Sequence, residues 1–447
     1  MIRKSISVCA LLSGLAISSS AQAQLSGDLD GLNLDPPAVV PALVPAPADA
    51  PALELAAKPA DAPPAERKRP GFSSYIFVGE AAVAPEALGP QAAEPNDTVL
   101  PGEQAAVEPV EIDVTLSPEL KALNERIERT LAWYYDHPEN VADRSVWGVM
   151  HALIAYGVDT QVIAGNKKVN AIGWVCYNGP CNGQRLFYVQ NGQLIPRQGP
   201  GVQGHHGQFL AMLAQSRVKA DFPIRVDGKD FTVADLIEFE KRTCYSKTEL
   251  TFKLIALAHY LKSDETWKND RGETWSLPKL ISEELAQPIV GAACGGSHRL
   301  TGFSYAVKKR TARGEPFTGE WLRAQKFEDS YHDYTMKLQN PDHSFSTQWF
   351  AGRGDHGGDE RKLETTGHIT EWLVASLPKD QLTDKRVVAA VDFLNDLMWR
   401  NRTNDLKIGP KGHALHALVM YQERLFDAQP GMRNARLANQ SPPQSGK

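Results

Sequence analysis

The sequence predicts an all-α fold: an α/α toroid of about six helix pairs in an inner and an outer ring, with a small β-hairpin insertion and a disordered N-terminal region. Two observations carry this. The first is a recurring phrase in which a glycine and a histidine precede a wholly apolar helical run. It occurs at Gly148–His151, Gly204–His206, Gly291–His298, Gly367–His368 and Gly412–His413. A sixth copy, Thr248–His259, keeps the apolar run without the glycine and histidine. A period of roughly 45 to 70 residues is the mark of a repeat architecture. The second observation is that apolar runs alternate with one-sided ones. A helix apolar on all sides must be buried, and a one-sided helix covers it from outside.

Taken in order, Met1 to Ala23 reads as a secretory signal. Arg3 and Lys4 give the positive start, Ile6 to Ile17 the apolar core, and Ala21-Gln-Ala23 the cleavage site. The apolar run is too short to span a membrane, and no later stretch reaches about 18 apolar residues. The expectation is an exported, soluble protein. Residues 24–115 are rich in Ala, Pro, Asp and Glu without apolar periodicity. Such a segment buries too little surface to offset its ordering entropy, so it reads as a disordered spacer. Its one apolar island is Phe72–Val78.

The folded domain is expected over 116–427, with a disordered tail at 428–447. Ser117-Pro-Glu119 opens a helix carrying Leu120, Leu123, Ile127 and Leu131 at helical spacing. Further one-sided helices are expected at Thr232–Thr243, Leu277–Leu285, Gly319–Leu338 and Asp384–Trp399. The outer member of the second pair falls near Gln161–Ala171, which is short and polar. Trp174–Pro196 reads as strands, with Asn191-Gly192 favouring a two-residue hairpin turn. A second long insertion runs from Gln339 through Asp359 and Glu360.

The alternating helices, with Asn340-Pro-Asp-His-Ser-Phe345 and Thr365-Thr-Gly-His368, resemble the repeats of the terpenoid cyclase and protein prenyltransferase superfamily across Ser117 to Leu425. The resemblance implies the toroid fold. The catalytic motifs of those enzymes are absent from the sequence. No Asp-x-Asp-Asp run occurs, and Ala292 stands where a zinc-binding Asp-x-Cys pair would need its aspartate before Cys294. Cys294-Gly-Gly also lacks the glutamine of the related thioester domains.

The net charge of −5 and the lack of a basic stripe exclude a nucleic-acid partner. Four cysteines remain after the signal, an even number in an oxidising compartment, which favours the disulfides Cys176–Cys181 and Cys244–Cys294. Cys294 and His298 stand four apart and could face zinc together, but the disulfide is preferred, and no metal and no cofactor are assigned. Asp355, Asp359 and Glu360 are a weaker oxygen cluster for calcium. If the inner helices run parallel, their starts converge. His151, His206, His298, Arg299, His368, Glu371 and His413 then line one end of a central cavity that favours anions. Asp342, Asp355, Glu364 and Glu371 are the acid–base candidates. The partner expected is a small molecule of anionic character, or a protein. Binding ranks ahead of catalysis; the alternative is a lyase, hydrolase or cyclase acting on an acidic or isoprenoid-like substrate.

Overall fold

A computed structural model describes residues 116–433. The signal, the spacer with its Phe72–Val78 island, and residues 434–447 lie outside the described residues. The described part is mostly helical, with four two-stranded antiparallel hairpins.

Six helices carry the apolar repeats: α2 (Val146–Tyr156), α4 (Gln208–Gln215), α6 (Thr251–Tyr260), α8 (Ser297–Ala312), α10 (Gly358–Ser376) and α12 (Ile408–Leu425). Almost every residue of α4 and α6 is buried, as an all-round apolar sequence requires. Each of these helices packs on the next: α2 on α4, α4 on α6, α6 on α8, α8 on α10, α10 on α12, and α12 on α2 again.

The one-sided helices are α1 (Pro118–Asp136), α3 (Ala171–Cys176), α5 (Val233–Arg242), α7 (Leu277–Leu285), α9 (Gly319–Lys337) and α11 (Lys385–Arg400). They cover the first set: α3 packs on α2, α5 on α4 and α6, α7 on α6 and α8, α9 on α8, α11 on α10 and α12, and α1 on α12 and α11. Ser117 caps α1 through its hydroxyl, with Pro118 in the first turn, as the sequence suggests. Four of these helices match the expected ranges within a residue at each end. The second pair differs. Gln161–Asn170 is a hairpin, β1 (Gln161–Ala164) with β2 (Lys167–Asn170), and the covering helix is the short α3 behind it.

The insertion hairpin is β3 (Phe187–Gln190) with β4 (Gln193–Pro196). Asn191 and Gly192 both take positive φ, 50° and 76°, which is the turn chemistry their pairing predicts. Two hairpins went unanticipated: β5 (Pro223–Val226) with β6 (Lys229–Thr232), and β7 (Thr266–Lys268) with β8 (Thr274–Ser276). The hairpins β1–β2, β5–β6 and β7–β8 each run directly into a covering helix, α3, α5 and α7. The tail stays attached beyond 427: Arg433 pairs with Glu128 at 3.0 Å, and the Gly431 N–H donates to Asp159 at 2.8 Å.

No disulfide forms among the described residues. Cys176, Cys181, Cys244 and Cys294 are free thiols, which corrects both expected bridges. Cys244 is buried behind α5, where its Sγ donates to the Glu240 carbonyl at 3.3 Å. Cys294 turns to a different set of neighbours. Among the described residues, no helix is long and apolar enough to cross a membrane.

Candidate metal centre

Only two of the recurring phrases stand at a helix start: Gly207, just after His205 and His206, caps α4, and Gly296 caps α8 with His298 in its first turn. His151 and His413 lie in the second turns of α2 and α12, and His368 lies in the middle of α10. The expected rim of five histidine-bearing helix starts is therefore corrected: of the five, only His298 lies in a helix's first turn. The glycines serve close packing instead. A Cβ on Gly412 would lie 2.2 Å from the His151 carbonyl oxygen, and one on Gly367 would lie 3.4 Å from Ala414.

Four of the predicted histidines meet inside the protein. The His368 and His413 rings lie 3.9 Å apart between centroids, His298 lies 5.1 Å from His413 and 5.4 Å from His368, and His151 lies 5.5 Å from His413. All four are buried. His205, which the sequence reading passed over, joins them at 6.1 Å from His298, stacked on Phe252 and bonded through Nδ1 to Glu249 at 2.8 Å. Its neighbour His206 is exposed and belongs to the surface. Arg299 also leaves the group: its Nε donates to Glu284 of α7 at 2.9 Å, which ties two helices together.

The tautomers follow from the partners. Carbonyl oxygens only accept, so Nδ1 of His368 donates to the Glu364 carbonyl and Nδ1 of His151 to that of Trp147, each at 2.7 Å. That leaves Nε2 of each ring as a lone pair. Glu371 reaches two rings at once, Nδ1 of His413 at 2.7 Å and Nδ1 of His416 at 2.6 Å. Burial alone would raise the Glu371 carboxyl, but the two histidines hold it well below the usual range. Nε2 of His413 is buried and has no partner. Neither ring nitrogen of buried His298 has one either. Burial, then neighbouring His413, pushes the proton affinities of His298 and His368 far down, and that of His151 to about 3. Low proton affinity keeps the imidazoles of His151, His298 and His368 neutral.

Cys294 completes the cluster. Its sulfur and one ring nitrogen each of His298 and His368 all lie within 4.8 Å of one another. The segment that presents it is tightly specified. Cys294, Gly295 and Gly296 take φ of 48°, 63° and 88°, three left-handed residues in a row, which is costly for the cysteine. Trp349, from the segment between α9 and α10, lies against Gly295 where a Cβ would sit within 2.1 Å of it, and its ring stands 5.4 Å from that of His368. Burial raises the Cys294 thiol, with Glu364 and Glu249 adding to it. Such a thiol stays protonated unless a cation displaces the proton.

The other candidate carboxylates are occupied elsewhere. Asp342 and Asp355 both pair with Lys362, Glu364 pairs with Arg361 at 2.7 Å, Asp359 with Arg400 at 2.9 Å, and Glu360 with Lys407 at 3.1 Å. Asp355, Asp359 and Glu360 thus each face a cation of their own rather than one another. No protein-family model, no curated protein and no solved structure matches this chain.

Proposed function

We propose that this is an exported α/α-toroid protein that binds a transition-metal ion, zinc by its donor set, between its inner helices. The toroid reading is supported by the succession of contacts from α2 through α12 and back to α2. Lining of one cavity by residues from all six of those helices supports it too. The N-terminal segment before the domain carries the expectation of export.

His298 carries the metal reading. Two orphaned ring nitrogens on a buried side chain cost about 1–3 kcal/mol each, the desolvation penalty of an unsatisfied group, and side chains left this way in a folded core call for a partner. Cys294 and His368 converge on that same ring. Thiolate and imidazole together select zinc over the hard cations. Glu371 behind His413, and the carbonyl behind His368, are the outer hydrogen bonds that orient metal-bound histidines. His413, with a buried and unpartnered Nε2, is the candidate for a fourth ligand.

A second reading is catalysis at the ion. It is favoured by the three-residue set of Cys294, His298 and His368, which leaves a coordination position open, as catalytic zinc sites do. It keeps the cavity enzyme, of lyase, hydrolase or cyclase type, as the alternative.

Elemental analysis of the purified full chain tests the proposal. One zinc per chain is expected, falling at least tenfold in Cys294→Ser and His368→Ala after mild chelation. Metal content that those variants leave unchanged would overturn it. His413→Ala separates the readings: loss of the ion makes His413 a ligand of a closed site, whereas retention leaves the fourth position open to solvent or substrate.

A further inference from the structure

The C-terminal ends of α2, α4, α6, α8, α10 and α12 enclose a cavity of about 240 Å³ at the end of these helices away from Cys294. Its lining is rich in cations: Arg217 follows α4, Lys308 and Lys309 come from α8, and Arg424 comes from α12. His259 and Tyr305 add polar groups, and among the described residues Glu423 is the only carboxylate in the lining. Helix C-termini attract cations, so part of this charge has a structural use. Arg424 donates to the Val374 and Leu377 carbonyls, and Lys308 to that of Ala375 at 2.7 Å, all at the end of α10. Glu423 is taken up by Arg217 at 2.6 Å.

What remains is unbalanced. Among the described residues, Lys309, His259 and the Tyr305 hydroxyl have no hydrogen-bond or ion-pair partner, and all three face the cavity. The crowding shows in their proton affinities: burial, then neighbouring cations, lowers Lys309, brings Lys308 to about 7 and His259 to about 4. Positive charge with unused donors around a solvent-open pocket is an arrangement that an anion relieves. The cavity floor reaches the other end of the helices through one side chain. His416 lines it, and its Nδ1 shares Glu371 with His413.

We propose that this cavity is a binding site for a small molecule bearing an oxyanion group, a phosphate or a carboxylate, held by Lys308 and Lys309 with Tyr305 and His259 as further donors. The site is separate from the Cys294 cluster and does not depend on its holding a metal. The test is titration calorimetry with inorganic phosphate and with citrate, against potassium chloride at matched ionic strength, on the full chain both zinc-loaded and chelated. Saturable binding of one equivalent is expected in both forms. Binding of phosphate alone assigns a phosphorylated ligand, of citrate alone a carboxylate, and either supports the site. Lys309→Met, which removes no hydrogen bond and should fold normally by circular dichroism, is expected to weaken binding at least tenfold. Lys308→Met should do the same, but it also uncaps α10, so Lys309→Met is the deciding variant. Responses no larger than those to chloride, or binding unchanged in Lys309→Met, would overturn the proposal while leaving the metal reading untouched.

Discussion

The Ser304 hydroxyl is placed to donate either to the Leu300 carbonyl, at 2.9 Å, or to Glu328. The same oxygen accepts from the Trp372 indole N–H at 3.0 Å and lies against a Glu328 carboxyl oxygen. Ser304 can donate its one hydrogen to only one of these acceptors, and donation to Glu328 favours the ionised carboxyl. Burial outweighs that bond and pushes Glu328 up to about 8. The folded state then holds a proton that the unfolded state releases above about pH 4.3, so stability is lost as pH rises from there through about 8. In Glu328→Gln, which keeps a donor at that position, the melting temperature should fall less between pH 5 and pH 8 than in the parent protein. Equal slopes for the two proteins would mean that Glu328 is ionised when folded. His298 is the opposite case, a buried ring without any partner. Filling the pair of nitrogens with a ligand should stabilise the fold. A hundredfold excess of zinc over its dissociation constant should add about 2.7 kcal/mol, read as a rise in melting temperature that His298→Ala abolishes.

Between elements, the glycines of the repeat decide how close two helices come. Gly412 of α12 meets the His151 backbone of α2, and backbone cannot swing aside as a side chain can. Gly412→Ala should therefore cost about 1–3 kcal/mol in urea unfolding, the usual penalty for overpacking. A neutral result would show that the two helices can separate without loss. The same elements show how far the chain could be read in advance. The one-sided helices were legible because solvent imposes the 3.6-residue period that defines them, and α7 runs from Leu277 to Leu285 as its pattern implies. The buried stretch of α10 starts only around Thr365, and its first turns are charged and solvent-facing, so the helix begins at Gly358, ten residues before the histidine expected to open it. The β5–β6 turn at Asp227-Gly228 carried a readable signal, an Asp-Gly pair with both residues at positive φ, that went unused.

At the scale of the whole molecule, repeat logic grouped His151, His298, His368, Glu371 and His413 with His206 and Arg299 at converging helix starts, and the first five do meet inside the protein while His206 and Arg299 lie elsewhere. Which neighbour of the Gly204 phrase points inward was not legible. One residue decides between His205 and His206, and a left-handed Gly207 ahead of α4 sets that choice. Cys294 was assigned to a disulfide by counting cysteines, whereas the strained turn that aims it at His298 and His368 appears only in three dimensions. The account rests on those three side chains sharing one ion. X-ray absorption at the zinc edge of the purified full chain measures this directly. The account predicts one sulfur ligand at about 2.3 Å with two or three imidazole nitrogens at about 2.0–2.1 Å, and loss of the sulfur shell in Cys294→Ser. An all-oxygen or all-nitrogen shell, or no bound zinc after loading, would contradict it.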